Sequence, residues 1–402
     1  RRRIRTVLND SRAGTAERTV EMITRQRVLF ILPVRGGGGG AHSVVQEVAA
    51  MRRLGVDAKV AIRAGDLDDF MRLYGDIENA EALFAPFTDR TLLLVASGYD
   101  IAVATIFTSV KLVAEIVEAL PWILPAYYVQ DYEPLFFEEG DPLRNEAYES
   151  YTRIPGAFLF AKTSWICRTI EKAHDVPVCK VEPSIDHEVY SLEGPRVAEA
   201  DGTICVTAMI RPRTPRRGAA RTMKLLSMLK ARFGAQVTIR IFGCDENSPD
   251  FLELDSDFEF VSHGILTRPE VAALLRSANV FIDLSDYQAF GRTGLEAMAC
   301  GALAVVPQAG GGSEYAIDGL NAVVVDSLDV QSAADKIIAV LGDRAQVARL
   351  QLRAIETASR YSPHRAAIKE LTGLAPALCA RRETYPKPER PRVLLMPDEQ
   401  TE

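Results

Sequence analysis

Short apolar, β-branched runs alternate with amphipathic helical stretches through both halves of the chain. This alternation is typical of parallel sheets joined by crossover helices, so it predicts an α/β fold with two Rossmann-like, doubly wound parallel-sheet domains. In the first half we predict strands at 27–34, 56–62, 100–106, 126–130 and 157–162. In the second half we predict strands at 203–209, 236–242, 258–263, 280–284, 303–307 and 322–325.

The length of the chain and one polar stretch indicate where the domains divide. A length of 402 residues exceeds what a single hydrophobic core usually supports. Residues 193–202 are polar and contain Gly and Pro, so we place the boundary near residue 195. The predicted organisation is a leader at 1–26, a first domain at 27–195, a second domain at 196–361, a terminal helix at 362–374 and a tail or linker at 375–402.

Charge and composition narrow the class of protein. The formal net charge of −7 argues against a nucleic-acid partner, which would need a concentrated basic face. No apolar run reaches the roughly 20 residues of a membrane-spanning helix, and the N-terminus lacks a signal-peptide core, so a cytoplasmic protein is expected. The six cysteines and five histidines lack metal-ligand spacing, so no metal site is expected.

A candidate ligand site follows the apolar strand predicted at 280–284. Residues 286–301 read Asp-Tyr-Gln-Ala-Phe-Gly-Arg-Thr-Gly-Leu-Glu-Ala-Met-Ala-Cys-Gly. A strand that ends in a glycine turn before a helix leaves the first helical N–H groups unpaired, and these form an anion pocket at the carboxyl edge of the sheet. We therefore expect phosphate here. Glu296 is predicted in the first turn of the helix, where the helix dipole alone would favour a carboxylate.

A second cationic segment follows the first strand of the second domain. Residues 211–218 read Arg-Pro-Arg-Thr-Pro-Arg-Arg-Gly, which places several guanidinium groups at the carboxyl end of that strand. Such groups can stabilise charge that develops on a leaving diphosphate. The alternative is a solvated basic loop, and the sequence does not tell which of Arg216 and Arg217 points inward.

Five consecutive glycines, at 36–40, follow the first predicted strand. The frame Gly36-x-Gly38-x-x-Ala41 satisfies a loose dinucleotide fingerprint, so an NADP-dependent oxidoreductase stays open as an alternative. The second strand ends at Arg63 with no acidic residue until Asp66, so it lacks the usual ribose ligand, although Arg63 could suit a 2′-phosphate.

Aromatic and acidic side chains cluster at 127–141, after another strand of the first domain. This composition suits stacking on sugars and hydrogen bonding to their hydroxyl groups. Gln130, Asp131, Tyr132 and Glu133 are the candidates to contact a saccharide, and the more distant acids are expected to be solvated.

The stretch 286–301 resembles the donor-site signature of the retaining GT-B glycosyltransferases of family four, in which two acids with seven residues between them bracket a Phe-Gly turn. Here the second acid is Glu296, and Gln288 occupies the first position. The resemblance implies two domains facing a cleft, and a terminal helix that crosses back to the first domain. Implied catalytic residues are Arg211, Arg217, Gln288 and Asp131. Implied donor-binding residues are Gly38, Gly39, Arg216, Gly264, Ile265, Phe290, Gly291, Thr293, Gly294 and Glu296. Implied acceptor contacts are Gln130, Tyr132 and Glu133.

The implied activity is a metal-independent, retaining transfer of a sugar from a nucleotide diphosphate to a growing bacterial glycan, with no cofactor beyond the donor. Residues 127–141 and Arg211-Pro212 look similar to rhamnosyltransferases of rhamnan and S-layer glycan synthesis, which use dTDP-rhamnose. Peripheral contact with a membrane-linked acceptor and membership of a larger multidomain chain fit this interpretation. Because Gln288 replaces an acid and Gln130 a common His, a catalytically silent glycan-binding domain of a polymerase is the second alternative.

Overall fold

A computed structural model of the protein describes residues 24–197 and 203–388. Within these residues the chain forms two compact units. The first contains the described residues up to Lys162, Cys167–Glu182 and the described residues from Pro363 onward. The second contains Thr163–Ile166 and the described residues of Pro183–Ser362.

The first unit is built on one parallel sheet of seven strands. These are β1 (Arg27–Ile31), β2 (Asp57–Arg63), β3 (Phe84–Phe87), β4 (Ile101–Ala104), β5 (Leu124–Val129), β6 (Phe158–Ala161) and β7 (Val178–Lys180). Their order is β3-β2-β1-β4-β5-β6-β7, so the strand order reverses beside β1. The last four residues of β1 are buried, as expected for a central strand covered on both faces.

Crossover helices connect these strands. They are α1 (Gly39–Arg53), α2 (Leu67–Tyr74), α3 (Ala80–Leu83), α4 (Leu92–Ser97), α5 (Phe107–Ala119), α6 (Pro142–Ser150) and α7 (Ser164–His174). The C-terminal helix α14 (Pro363–Thr384) also packs on this unit. Leu371, Leu374 and Leu378 of that helix enter the first core, and Gln26 Nε2 donates to Leu371 O at 3.1 Å.

The second unit is built on a parallel sheet of six strands. These are β8 (Ile204–Met209), β9 (Val237–Phe242), β10 (Val261–Ser262), β11 (Val280–Ile282), β12 (Leu303–Pro307) and β13 (Val323–Val325), in the order β10-β9-β8-β11-β12-β13. The helices are α8 (Ala219–Phe233), α9 (Pro249–Leu252), α10 (Arg268–Arg276), α11 (Arg292–Ala299), α12 (Val330–Leu341) and α13 (Arg344–Ala358). Helix α10 begins with a capping box, in which Thr267 and Glu270 satisfy backbone N–H groups at the helix N-terminus.

The structure corrects parts of the sequence prediction. Strands β3 and β7 were not predicted, because each is very short and β3 contains Pro86, which weakens a strand pattern. Apart from Thr163–Ile166, the second unit begins at Pro183 rather than near 195, because Tyr190 is buried in its core. The predicted tail begins as helix, since α14 continues to Thr384. Of the predicted leader at 1–26, residues 1–23 lie outside the described residues. No described helix combines the length and apolarity needed to cross a bilayer.

Candidate functional site

The carboxyl ends of β8 and β11 adjoin where the strand order of the second sheet reverses, which is the usual ligand position in such folds. The two loops that leave these strands are tied together. Asp286 N donates to Arg216 O at 2.7 Å, and Arg221 Nε donates to Leu284 O at 2.6 Å. A side chain at Gly218 would overlap Leu284 O, and Gly218 has a left-handed φ of 63°, so this close approach requires glycine.

Two guanidinium groups on the loop after β8 act on one another electrostatically. The pKa of Arg211 lies below its ordinary value, first because of desolvation and then because of repulsion from Arg216. The Arg216 guanidinium lies 5.4 Å from the centre of the Tyr287 ring, and Arg211 Nε donates to Met209 Sδ at 3.1 Å. Clustered cations at a switch point form a candidate anion site. Of the two arginines that the sequence could not separate, Arg216 is the one that acts on Arg211.

The glycine turn before α11 is locked by Tyr315. The Tyr315 hydroxyl donates to Gly291 O at 2.7 Å, and a Cβ atom at Gly294 would lie 2.5 Å from that hydroxyl. Gly291 is the N-cap of α11, with a φ of 83° and no side-chain cap. An uncapped helix N-terminus favours an anion, although Gly294 N already donates to Gly291 O at 3.1 Å. Contact of Gly291, Thr293 and Gly294 with a donor stays a prediction.

The Phe290 side chain does not take the predicted role of donor contact. It is 4% exposed and packs edge-to-face against Tyr315, with ring centres 5.6 Å apart. Aromatic packing in the core explains its place in the motif. Only its backbone belongs to the turn.

Glu296 is correctly predicted on the helix but wrongly placed in its first turn. It is the fifth residue of α11, and its first turn contains no acid, so the helix dipole does not explain it. The side chain is 5% exposed, and Arg292 Nη1 lies 3.5 Å from its carboxylate. Burial raises the pKa of Glu296, and Arg292 and Arg268 oppose this rise. Arg268 was missed in the sequence, because only the fold brings α10 beside α11.

Gln288 faces an acid that the sequence did not single out. Its Nε2 donates to Asp283 Oδ2 at 2.6 Å and to Ser285 Oγ at 3.1 Å. Asp283 Oδ1 accepts from Ser285 Oγ at 2.6 Å, so the three side chains form one network after β11. An uncharged residue at 288 suits this network because it donates to Asp283 without adding a second negative charge.

A second glycine turn closes over Gln288. Gly311 N donates to Gln288 O at 2.6 Å, and Gly310 has a φ of 98° and a ψ of −152°, a region adopted essentially by glycine alone. The following Glu314 accepts from Ser164 N at 2.6 Å, and Tyr361 Oη donates to Glu314 O at 2.6 Å. The turn is thus anchored at both ends.

We expect Gln288→Glu to destabilise the second unit by about 2–3 kcal/mol, because it replaces a donor with a carboxylate facing Asp283. Urea unfolding measures the change. The matched control is the double variant Gln288→Glu with Asp283→Asn, which restores one donor and one acceptor and should recover most of the loss. Equal stability of wild type and Gln288→Glu would contradict the network.

The loop after β10 exposes one large apolar side chain. Ile265 is 80% exposed, and the neighbouring Gly264 has a left-handed φ of 65°. Gly243 N donates to Gly264 O at 2.7 Å, which fixes this loop beside the end of β9. A solvated isoleucine at a carboxyl edge is a suitable surface for a planar base. The predicted donor residues Gly264 and Ile265 therefore lie at the same edge as Arg211.

In the first unit, the glycine loop leads directly into α1. Gly36 and Gly37 need glycine because their φ values are 82° and 76°. A Cβ atom added at Gly38 or Gly39 would meet no other atom within 4 Å, so the surroundings of both residues are open. Gly38 is the N-cap of α1 and has no side-chain cap, which leaves helical N–H groups for a ligand.

Gln130 joins this loop to the end of β5. Its Nε2 donates to Gly40 O at 3.1 Å, and its Oε1 accepts from Lys162 Nζ at 3.2 Å. Asp131, the next residue, is half-buried, and its Oδ1 accepts from Tyr132 N at 2.9 Å. Lys162 was missed in the sequence, although a lysine directly after the apolar strand β6 was a usable signal.

The Tyr132 ring extends an aromatic column. It stacks on Tyr151 with ring centres 5.6 Å apart, and Tyr151 stacks on Tyr127 at the same separation. The Tyr132 hydroxyl lies 3.3 Å from His174 Nε2. Tyr132 is half-buried, so a face or edge of this ring suits the predicted saccharide contact.

Glu133 does not suit the predicted acceptor contact, because its side chain is only 3% exposed. Its Oε2 accepts from Phe107 N at 2.6 Å and from the Tyr127 hydroxyl at 3.2 Å. Burial raises its pKa to about 8, against opposing hydrogen bonds from Phe107 and Tyr127. Glu133 therefore fastens the loop after β5 to the start of α5.

We expect Glu133→Gln to flatten the pH dependence of stability. The folded-state pKa of about 8 exceeds the ordinary value of 4.5, so the folded protein holds a proton that the unfolded chain releases. This stabilisation is complete below pH 4.5 and is lost as the pH rises towards 8, with a slope of at most about 1.4 kcal/mol per pH unit. Urea unfolding across this pH window measures it. The exposed Glu139→Gln is the control, and parallel curves for wild type and Glu133→Gln would refute the assignment.

Metal ligands do not cluster in the part of the chain that the structure describes. Within residues 24–197 and 203–388, no group of three or more His, Cys, Asp or Glu side chains is arranged to hold a metal ion. The candidate site is instead composed of guanidinium groups, helix N-termini and glycine turns.

The second unit matches a known family. Residues 201–360 match the family model described as glycosyl transferases group 1. This range contains β8 to β13 and therefore the whole carboxyl edge described above. The match lies within the second unit and covers less than half of the chain.

Two curated relatives match parts of the chain. An uncharacterized glycosyltransferase of Bacillus subtilis (strain 168), YqgM, is 28% identical over 142 residues, which cover 34% of this chain and 39% of that protein. The O-antigen biosynthesis protein RfbC of Myxococcus xanthus is 28% identical over 206 residues, which cover 51% of this chain and 15% of that protein. The matched regions thus span well under half of either relative.

A solved structure shows the fold. Anabaena Alr3699/HepE in complex with UDP and glucose superposes with a TM-score of 0.68 at 17% identity, covering 89% of this chain and 100% of that one. With its two parallel-sheet α/β domains, the chain has the GT-B architecture predicted from its sequence. The particular donor and acceptor are matters for proposal.

Proposed function

We propose that the protein is a retaining, metal-independent glycosyltransferase that moves a sugar from a nucleotide diphosphate donor to a growing bacterial surface glycan. The observation that carries this proposal is the cationic loop after β8 at the switch point of the second sheet, where repulsion from Arg216 contributes to the lowered pKa of Arg211. A bound diphosphate would turn that repulsion into attraction. The family match at 201–360 supports the same activity.

The chemistry follows from where charge develops. When the glycosidic bond of the donor breaks, negative charge builds on the leaving diphosphate, and preorganised cations stabilise this charge most in the transition state. Arg211 and Arg216 supply the cations, and N–H groups at the start of α11 from Gly291 onward assist. The departing phosphate itself then accepts the proton of the acceptor hydroxyl on the same face, which gives retention and needs no second carboxylate.

The remaining donor groups have separate roles. Glu296, balanced by Arg292 and Arg268, receives the ribose hydroxyl groups, and Ile265 packs against the base. In the first unit, Gln130, Asp131 and Tyr132 contact the acceptor, and Gly38 and Gly39 leave room beside the α1 N-terminus. Arg217 remains a predicted diphosphate ligand.

The proposed donor is dTDP-rhamnose and the proposed site of action is the cytoplasm. HepE is described in complex with UDP and glucose, and RfbC is described as an O-antigen biosynthesis protein, so related proteins handle nucleotide sugars and surface glycans. A Gln at 288 and its Asp283 partner leave an environment without a second carboxylate, which suits a deoxyhexose with few hydroxyl groups to satisfy.

A donor panel tests the proposal. The purified chain is incubated with dTDP-rhamnose and with UDP- and GDP-sugars, with octyl rhamnoside as acceptor, and nucleoside diphosphate release and product anomer are measured. We expect release and transfer with retention, fastest for dTDP-rhamnose. Binding of nucleotide without turnover of any donor would favour the catalytically silent domain.

The oxidoreductase alternative depends on Arg63 as its 2′-phosphate ligand. Arg63 forms an ion pair with Asp89, and its guanidinium lies 4.9 Å from the centre of the Phe87 ring. A 2′-phosphate would have to compete with Asp89 for this guanidinium. Quenching of NADPH fluorescence at micromolar protein would favour this alternative.

A further inference from the structure

Three buried titratable side chains lie beneath the glycine loop of the first unit. Lys162 follows β6 and is 4% exposed, while Glu47 of α1 and Glu370 of α14 are fully buried. The three residues come from distant parts of the chain. Neither the proposed transfer chemistry nor the resemblance uses any of them.

The Lys162 ammonium bridges the two side chains that hold the first turn of α1. Its Nζ donates to Ser43 Oγ at 2.9 Å and to Gln130 Oε1 at 3.2 Å. Ser43 Oγ donates in turn to Gly39 O at 3.2 Å, and Gln130 Nε2 donates to Gly40 O at 3.1 Å. The Lys162 ammonium thus sets the position of the Gly39 and Gly40 carbonyl groups, at the start of the helix where Gly38 and Gly39 have open surroundings.

Two buried carboxyl groups accompany the Lys162 ammonium. Burial and the neighbouring Glu47 carboxyl raise the pKa of Glu370 well above its ordinary value, and Lys162 opposes the rise. An uncompensated buried charge is strongly destabilising, so acidic neighbours favour a buried ammonium.

We propose that Lys162 is a positioning residue of the acceptor side, which orients Gln130 and the first turn of α1 through its contacts with Gln130 Oε1 and Ser43 Oγ. This inference rests on the proposed function for its kinetic consequence. Its structural consequence, the position of the first turn of α1, does not depend on that function.

The kinetic test compares Lys162→Met with Lys111→Met, whose lysine forms a surface pair with Glu146 at 2.7 Å. With dTDP-rhamnose and octyl rhamnoside as probes, we expect Lys162→Met to lower kcat/KM for the acceptor about 100-fold, as misplacement of a contact does. Hydrolysis of the donor in water and its KM should stay within about twofold of wild type. Lys111→Met should match wild type in both. Equal losses in transfer and hydrolysis would overturn the positioning role.

The structural test needs no turnover. Amides 42–44 bond to the carbonyl groups of residues 38–40 in an α-helix, so we expect Lys162→Met to speed their hydrogen exchange at least about tenfold. Lys111→Met, which removes a surface lysine, should leave this exchange unchanged. If wild type turns over no donor, the proposed function fails while this exchange pattern still decides the positioning. Unchanged exchange at 42–44 in Lys162→Met, or an equal increase in Lys111→Met, would overturn the inference.

Discussion

We expect Arg211→Ala and Arg216→Ala each to lower kcat. The activation free energy should rise by about 2–4 kcal/mol, comparable to loss of an oxyanion-hole donor. The reason is that the two guanidinium groups repel one another and both gain from a diphosphate that becomes more negative during reaction. Steady-state kcat with the preferred donor measures the loss, and thermal unfolding should change little, because each removal relieves repulsion.

Two further variants make this experiment specific. Arg213→Ala is the matched control, since Arg213 lies on the same loop but pairs with Asp250 at 2.5 Å. Arg217→Ala tests the other arginine that the sequence left open as a diphosphate ligand. Full activity in both Arg211→Ala and Arg216→Ala would place the diphosphate elsewhere.

Gly310→Ala is expected to destabilise the second unit by about 3–5 kcal/mol. Its backbone lies in a region adopted essentially by glycine, and a Cβ atom would lie 2.8 Å from Gln288 N and still closer to Gln288 O. The turn could relax only by releasing Gln288, so donor binding should weaken together with stability. Urea unfolding and calorimetry with the nucleoside diphosphate measure the two effects.

Gly319→Ala provides the control for the backbone effect alone. Gly319 also has a positive φ, of 69°, but no atom lies within 4 Å of the added methyl group. We expect it to lose only about 1–2 kcal/mol, the typical penalty of a left-handed non-glycine residue. If the two variants lose equal stability, steric contact with Gln288 is not what requires glycine at 310.

The sheet architecture was largely readable from local pattern. Central strands such as β8 and β12 are buried on both faces, so they appear as continuous β-branched runs whose ends can be placed closely. The edge strand β3 was not predicted, because it contains Pro86 and spans only four residues, a pattern that a loop also allows. Parallel strands all end at one edge, which is why the loops at 211, 264 and 291 could be assigned to one site.

Individual site residues were less predictable, because burial is a property of packing. Glu133 and Glu296 read as polar residues at strand and helix ends, yet both are almost fully buried. Phe290 reads as part of a ligand turn and instead joins the core. Their neighbours Tyr127, Arg268 and Tyr315 come from separate elements, and no spacing in the sequence indicates those contacts.

The sequence by itself determined the two parallel sheets, the glycine turns at their carboxyl edges and the cationic loop after β8, because hydrophobic period, turn chemistry and formal charge are local properties. Only the tertiary structure decided that Arg216 acts on Arg211, that Gln288 faces Asp283, and that Lys162 joins Ser43 to Gln130. Desolvation and Coulomb interaction depend on distances between atoms far apart in the chain, so those pairings exist only once the chain is folded.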